Sequence, residues 1–290
     1  MKSSTSIYTL ILIAVLGISC AHSQQQEEYV SPQGYNLKEP ERYKMEDDLL
    51  EISGIAFNKG DNKTIYAIED EDGKLFYGHP SDRMKAGHTK FAKHGDYEDV
   101  AICNDRVIVL KSNGKLYTFP LSEIKEQELS NVHEHKDLLP AGEYESLYAD
   151  DAKNKLYVLC KNCDDEKTTQ SSTGYIFDVL PNDSIKKAGT FKIEVSQITK
   201  LTKDDKIKFR PSAMAQNPVT KQWYIVSSVN SLLVVANQNW QVTNTYALNR
   251  KNFLQPEGIA FDSKGNLYIS NEGDEFSRGS ILKFTYFGKR

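Results

Sequence analysis

Five copies of one short pattern recur along the 290-residue chain. Each copy opens with a small or acidic residue before an apolar pair, and strand-like segments separated by Gly, Asn or Asp turns follow it. The equivalent apolar positions lie 45, 47, 67 and 45 residues apart and are Ile55, Val100, Leu147, Met214 and Ile259. A period of about 45 residues with three or four short strands is typical of β-propeller blades, because one small sheet cannot bury both of its faces alone.

The spacing predicts an all-β chain with five blades. The longest interval contains an insertion of about 20 residues, around 163–173 and 194–205, and a hidden copy there would make six blades. Because the chain ends soon after the last repeat, Glu41–Met45 is predicted to supply the missing outer strand and close the ring. Leu121–Leu129 is the one segment predicted to be helical.

The amino terminus indicates export. Residues 1–19 combine a lysine, an apolar stretch and small residues, which is the pattern of a secretory signal peptide. Gly17-Ile18-Ser19-Cys20 resembles a bacterial lipobox, in which the thiol of Cys20 is acylated and anchors the mature chain to a membrane. Ordinary cleavage after Ala21-His22-Ser23 is the alternative. We therefore expect a location in the cell envelope, on the outer membrane or the periplasmic face of a membrane.

Composition narrows the possible partners. Residues 20–40 are polar and are predicted to be a flexible tether, so that residues 41–290 form the propeller domain. The chain has 36 Lys and Arg against 40 Asp and Glu, a net charge of −4. Because nucleic-acid binding requires a cationic surface, we expect no nucleic-acid partner. The expected form is a monomer that binds an unknown envelope partner or a small ligand.

Three cysteines follow Cys20, and only Cys160 and Cys163 are close in sequence. A structural disulfide between them or two plain thiols is favoured in an exported protein. Redox or metal chemistry is the alternative, but zinc would need a second pair or histidines at ligand spacing. Cys103 is predicted to be a buried small side chain.

Three glutamates occupy equivalent positions two residues before the aligned apolar residues. In a propeller the inner strands line a central channel, so Glu98, Glu145 and Glu257 would lie in one ring with Ser53 and Ser212. Carboxylates so placed would repel each other unless a hard cation neutralised them, and the absence of histidine in the ring favours calcium over zinc, copper or iron. The predicted metal ligands are Glu98, Glu145, Glu257 and Asn271, with Ser53, Ser212 and Glu272 as further candidates.

The order of the repeats resembles the SdiA-regulated family of exported bacterial proteins, over roughly Tyr43 to Lys289. The stretches that carry the resemblance are Ile52-Ser53-Gly54, Glu98-Asp99-Val100, Glu145-Ser146-Leu147, Pro211-Ser212-Ala213, Pro256-Glu257-Gly258-Ile259 and Asn266-Leu267-Tyr268-Ile269-Ser270-Asn271-Glu272. The resemblance implies a five-bladed propeller, a calcium site and a distant similarity to NHL repeats. It does not imply an activity.

The chain departs from the family pattern at two lysines. Lys111 and Lys161 stand where family members tend to carry acidic residues, so they would replace part of the charge of an ion. The alternative to a metal site is that the glutamates cap turns or pair with Lys111, Lys161 or Arg210.

Three functions are compatible with these features. The first is an exported, lipid-anchored binding or scaffolding module with calcium in its channel. The second is a calcium-dependent hydrolase of a lactone, ester or phosphoester, with Glu69, Asp70 or Glu272 as the general base. The third is an envelope interaction protein without a metal.

Overall fold

The computed structural model describes residues 29–81, 86–163 and 170–288. Twenty strands in this part of the chain form five four-stranded antiparallel sheets, which confirms the five-bladed propeller. No sixth sheet occurs within the described ranges. Long strands in the third blade and a helix instead account for the 67-residue interval.

The sheets follow one another along the chain. Blade 1 contains β2 (Ile52–Phe57), β3 (Ile65–Glu69), β4 (Lys74–Gly78) and β5 (Gly87–Lys90). Blade 2 contains β6 (Tyr97–Cys103), β7 (Arg106–Lys111), β8 (Leu116–Pro120) and β9 (His133–His135). Blade 3 contains β10 (Gly142–Asp150), β11 (Lys155–Cys163), β12 (Ser171–Val179) and β13 (Ile185–Glu194). Blade 4 contains β14 (Ala213–Gln216), β15 (Trp223–Ser227), β16 (Leu232–Ala236) and β17 (Val242–Ala247).

Blade 5 joins the two ends of the chain. It contains β18 (Pro256–Phe261), β19 (Leu267–Asn271), β20 (Ser280–Phe284) and, as its outer strand, β1 (Glu41–Lys44). Tyr43 pairs with Ile281, and the Met45 N–H donates to the Gly279 carbonyl at 2.8 Å. The predicted closure of the ring by the segment before the first repeat is confirmed.

The apolar core is divided among the five interfaces between neighbouring blades. Five clusters of buried side chains each combine residues of two adjacent blades. Tyr66 of β3, for example, packs with Val100 of β6, whereas its neighbour Ala67 faces the last blade with Tyr268. Because side chains alternate along a strand, each blade buries both faces only when it has two neighbours.

The helix prediction for Leu121–Leu129 is wrong. Only Leu121–Glu123 forms a short 3-10 turn, and the following backbone joins the edge of blade 1, where the Lys90 N–H donates to Gln127 and the Lys90 carbonyl accepts from Leu129. An α-helix, α1, lies in the insertion at Val195–Thr202. Its Ile198 is fully buried between blades 3 and 4. None of the helices in the described ranges is long and apolar enough to span a membrane.

Part of the predicted tether packs against the propeller. Tyr35 and Leu37 are buried in the cluster between blades 4 and 5. The Tyr35 hydroxyl donates to the Gly265 carbonyl at 2.6 Å and accepts from the Asn217 amide at 2.7 Å. These partners lie in the turns that follow the inner strands of blades 5 and 4. The chain therefore reaches its first strand from the end of the channel where the inner strands finish.

We predict that Met45→Ala lowers the free energy of unfolding by about 2–5 kcal/mol, the usual cost of truncating a large buried apolar side chain. Met45 is fully buried beside the closing strand, between blades 5 and 1. The control Glu46→Ala changes an exposed neighbour whose side chain makes no capping hydrogen bond, and it should shift stability by less than about 0.5 kcal/mol. Denaturant titration measures both, and equal effects would contradict the role of Met45.

Candidate functional site

A β-bulge at the start of the inner strands sets apart the side chains that matter most. In blades 1, 2, 3 and 5 one extra residue interrupts the pairing of the inner strand with its neighbour. In blade 4 two successive residues face one residue of the neighbouring strand. The Ser212 N–H donates to the Val226 carbonyl, and Ala213 pairs with Val226 as well. An extra residue in a bulge is unpaired and its side chain is re-aimed. The residues at these positions are Ser53, Glu98, Glu145, Ser212 and Glu257.

The bulges bring these residues to one end of the channel. The inner strands contact one another in a closed ring, and the second strands run antiparallel to them, so the ends of the second strands lie at the same end. We call this end the acidic rim. It consists of those five residues and five residues of the second strands. Asp70, Ser112, Ser228 and Glu272 directly follow their strands, and Lys161 lies near the end of β11.

The glutamates of the rim hold their protons unusually tightly. Burial raises the pKa of Glu98 to about 9, and the negative charge of Glu145 adds to the effect. Burial, followed by the charge of Glu257, raises the pKa of Glu145 to about 7 and that of Glu272 to about 8. Desolvation and like charges both disfavour the ionised carboxylate. The rim therefore concentrates carboxyl groups that are close enough to influence one another.

Lys161 enters this group from the second strand of blade 3. Its ammonium forms an ion pair with Glu145 Oε1. Burial pulls the pKa of Lys161 down, but Glu145, and then Glu257 and Glu98, more than compensate and raise it above its ordinary value. Of the pairings considered from the sequence, the one between Glu145 and Lys161 is present. Lys111 instead lies 5.5 Å from the ring centroid of Tyr97.

Glu257 and Ser53 are held by polar neighbours. Burial raises the pKa of Glu257, while hydrogen bonds from Ser212 and Ser228 lower it. The Ser53 carbonyl accepts a 2.6 Å hydrogen bond from the Ser270 hydroxyl, which joins blade 5 to blade 1. Ser212 and Ser53 thus stabilise their surroundings through hydrogen bonds in this structure.

The acidic residues at the end of β3 differ in availability. The Glu69 carboxylate accepts the N–H groups of Glu71 and Asp72, at 3.0 and 2.6 Å, and so stabilises the turn that follows. Burial, followed by the charge of Glu51, raises the pKa of Asp70 to about 6. Asp70 Oδ1 is buried without a hydrogen-bond partner. Asp70 is therefore the more available of the two carboxylates.

Two further side chains of the predicted site carry buried atoms without hydrogen-bond partners. They are Glu145, through Oε2, and Asn271, through Oδ1 and Nδ2. Glu145 is 9% exposed and Asn271 is 2% exposed. A buried polar atom without a partner costs free energy. These atoms are therefore the ones to which a ligand of the rim would bring the greatest gain.

The rim is not a preformed metal cluster. Within residues 29–81, 86–163 and 170–288, no three His, Cys, Asp or Glu side chains converge closely enough to hold a metal ion. Glu98, Glu145 and Glu257 share one end of the channel, where Asn271 ends the second strand of blade 5 and Glu272 follows it. Their assignment as metal ligands stays a prediction.

The cysteines of the propeller divide as a pair and a single thiol. Cys160 and Cys163 form a disulfide, with their Cα atoms 6.1 Å apart, on the same strand as Lys161. Cys103 is free and buried, and burial raises the pKa of its thiol to about 12. Cys20, the predicted lipidation site, lies outside the described residues.

Asp99 is an important residue that the sequence analysis did not single out. It is 3% exposed, and its carboxylate accepts the N–H groups of Val100 and Leu147 at 2.8 and 2.7 Å. It thereby joins blade 2 to blade 3. A Cβ at Gly54 would clash with the Cα of Asp99, so the neighbouring blade must have glycine there. An acidic residue among Gly, Ser and Ala at the equivalent positions was the available signal.

A cavity of about 330 Å³ lies at the opposite end of the channel, which we call the cavity end. The aligned apolar residues of the repeats line it, and all are 5% exposed or less. Carboxylates at its mouth already have partners: Asp262 accepts from Asn62 and Asn266, and Asp150 from Lys153. The acidic rim therefore offers more uncommitted carboxylate oxygens than the cavity end.

Solved structures that resemble this chain share its fold. A luciferin-regenerating enzyme aligns with a TM-score of 0.55 at 11% identity, over 86% of this chain and 96% of that chain. Glutaminyl cyclase from Myxococcus xanthus gives a TM-score of 0.55 at 11% identity, over 85% and 95% of the two chains. Regucalcin from Agrobacterium tumefaciens, described as a calcium-binding protein, gives 0.50 at 11% identity, over 87% and 95%. At such identities the likeness shows the propeller fold alone.

Family membership comes from the sequence comparison. No curated protein matches the chain. The model of the SdiA-regulated family matches residues 28–278, which covers the closing strand β1 and every strand up to β19. The chain therefore belongs to the SdiA-regulated family.

Proposed function

We propose that this chain is an exported, membrane-anchored binding module of the cell envelope whose acidic rim takes up a calcium ion. The observation that carries the proposal is the set of buried oxygens without hydrogen-bond partners at this end of the channel, Glu145 Oε2, Asn271 Oδ1 and Asp70 Oδ1. Hard oxygen ligands are what calcium binds. A calcium-binding propeller among the structural neighbours supports the same reading.

The donors suit calcium in kind. Calcium takes six to eight oxygen ligands in flexible geometry, from carboxylates, amide oxygens and water. Glu98, Glu145, Glu257 and Asn271 would hold the ion, with Ser53, Ser212 and Glu272 beside them. The bound ion would supply positive charge to a group of buried carboxylates. Glu145 Oε1 is paired with Lys161, so the ion would bind through Oε2, beside that ammonium.

A calcium-dependent hydrolase of a lactone, ester or phosphoester is the second candidate. Asp70 favours it, because its buried Oδ1 has no hydrogen-bond partner and burial raises its pKa to about 6, which suits a general base near neutral pH. Glu69 is less suited, since its carboxylate is engaged by two backbone N–H groups. Turnover that stops on chelation would favour this candidate over a binding module. Without calcium binding, the third reading, a metal-free envelope interaction protein, takes precedence.

The envelope location is proposed from the amino-terminal sequence. We predict that Cys20→Ala releases the protein from the membrane fraction, because the acylated thiol is the anchor. Fractionation with immunoblotting measures the release, and mass spectrometry measures the mature chain. The control Ser23→Ala tests the ordinary cleavage site and should leave the protein in the membrane fraction. An unchanged mature mass in a released Cys20→Ala variant would contradict lipidation.

We predict that calcium raises the thermal unfolding midpoint of a form starting at Gln24, which retains every described residue. A ligand that binds only the folded state at about 100 times its Kd adds about 2.7 kcal/mol, which corresponds to roughly 5–10 °C for a domain of this size. Glu98→Gln combined with Glu257→Gln should abolish the shift. The control Glu126→Gln, an exposed residue of blade 2, should keep it. An undiminished shift in the double variant would contradict the proposed ligand set.

The raised pKa values of the rim glutamates predict that both the stability without calcium and the calcium affinity depend on pH. Glu98 and Glu272 keep their protons in the folded chain up to pH of about 9 and 8, whereas the unfolded chain releases them near 4.5. Folding therefore takes up protons, and without calcium the stability should fall as pH rises from about 5 to 9. Calcium affinity should rise over the same range, because binding releases those protons. Thermal unfolding with and without chelator across this range measures both, and a flat profile would contradict the assignment.

A further inference from the structure

We propose that Lys161 is a resident counter-ion of the acidic rim, supplying the charge that a divalent cation would otherwise bring and so weakening the binding of that cation. The proposal rests on the proposed function and adds to it a residue that determines how strongly the rim selects calcium. It stands on the geometry of blade 3.

Two opposed bulges bring Lys161 and Glu145 together. On β10, Tyr144 pairs with Cys160 and Ser146 pairs with Leu159, so Glu145 is the extra residue. On β11, Glu143 pairs with Asn162 and Tyr144 with Cys160, so Lys161 is an extra residue on the facing strand. Residues in a bulge are freed from the ladder and re-aimed. The ion pair between the two side chains follows from this double interruption.

The backbone of Lys161 is fixed on both sides. The disulfide of Cys160 and Cys163 spans it, and both cysteines are buried. Arg210 Nη1 donates to the Lys161 carbonyl at 2.9 Å and to Asn162 Oδ1 at 2.7 Å. Such constraints reduce the freedom that a lysine must lose to stay in one place. Lys161 is therefore built into the rim.

The groups around Lys161 are carboxylates from three blades. Glu145 of blade 3 is its direct partner, and Glu257 of blade 5 and Glu98 of blade 2 attract the ammonium from further away. Glu143 accepts a hydrogen bond from the Asn162 amide, and its charge acts on Glu145. The charge of Glu145 in turn acts on Glu272. The positive group facing the same strand end is Arg210. One ammonium thus serves several carboxylates, as a bound cation would.

Lys161 offsets the negative charge of the carboxylates on only one side of the rim. The electrostatic influences that raise the pKa values of Asp70 and Glu272 come from other carboxylates, including Glu51 for both. Lys161 stands on the opposite side, within blade 3. A divalent ion that bound Glu145 through its unpaired Oε2 would remain beside the half-buried ammonium that holds Oε1. Two like charges in a poorly solvated place repel each other, which lowers the affinity for the ion.

The test compares calcium affinity among lysine variants of the form starting at Gln24. Lys161→Gln should bind calcium about tenfold more tightly than the unaltered protein, measured by titration calorimetry at pH 8. Lys161→Ala, a second neutral variant, should behave likewise, and Lys161→Arg, which keeps the charge, should bind as weakly as the unaltered protein. Lys111→Gln is the matched control, because Lys111 ends the equivalent strand of blade 2 but lies over Tyr97.

A second measurement does not depend on calcium. In chelator, the melting point of Lys161→Gln should fall more steeply between pH 5 and 9 than that of Lys111→Gln, because the rim has lost its internal counter-ion and its carboxyls must hold their protons more strongly. Equal slopes would overturn the proposal. Equal calcium affinity in Lys161→Gln and the unaltered protein would overturn it as well, while leaving calcium binding intact. A steeper slope without calcium binding in any variant would support the counter-ion and refute the proposed function.

Discussion

The pairing of β1 with β20 is the interaction on which the propeller depends. Each blade is a small sheet that buries one face against each neighbour, so an open row of five would leave two apolar faces in water. The closing strand, Glu41–Lys44, comes from the beginning of the chain and completes the last blade. It also brings Tyr43 and Met45 into the cluster between blades 5 and 1. Closure therefore fixes the ring, and the ring fixes where the inner strands point.

The inner strands combine two opposite requirements. Ile55 and its four equivalents are buried, line the cavity and each belong to a different cluster between blades. At the acidic rim, the bulges re-aim Glu98, Glu145 and Glu257 away from the regular ladder. Bulges at equivalent positions in four of the five blades are too regular to be defects. Because of them, one short sequence pattern supplies both the buried apolar residues of the inner strands and the polar side chains of the acidic rim.

Much of the fold could be predicted from the sequence, because a fivefold repeat constrains every copy. The blade count, the order of strands and the closing segment all follow from periodicity. The helix predicted at Leu121–Leu129 is absent, although the segment has an apolar pattern. Its backbone pairs instead with Lys90 of the adjoining blade, and a local sequence pattern cannot indicate such a contact. The helix α1 lies in the insertion, where the repeat gives no guidance.

The candidate site was only partly predictable for a related reason. Alignment of the repeats is enough to bring the three glutamates and Asn271 to one end of the channel. It does not show that Lys161 stands on a second bulge facing Glu145, since that depends on the register between β10 and β11. The role of Asp99 cannot be predicted from its own repeat either, because its carboxylate accepts the N–H of Leu147, which belongs to the next blade. Contacts between copies, rather than within them, decide the chemistry of the rim.

The hydrogen bonds of Tyr35 with Gly265 and Asn217 fix the amino-terminal side of the described chain to one end of the channel. These contacts lie at the cavity end. An attachment close to Tyr35 would therefore hold the propeller by its cavity end, with the acidic rim on the opposite side. Its carboxylates would then open toward the surrounding medium, and whatever they bind would arrive from the side away from the support.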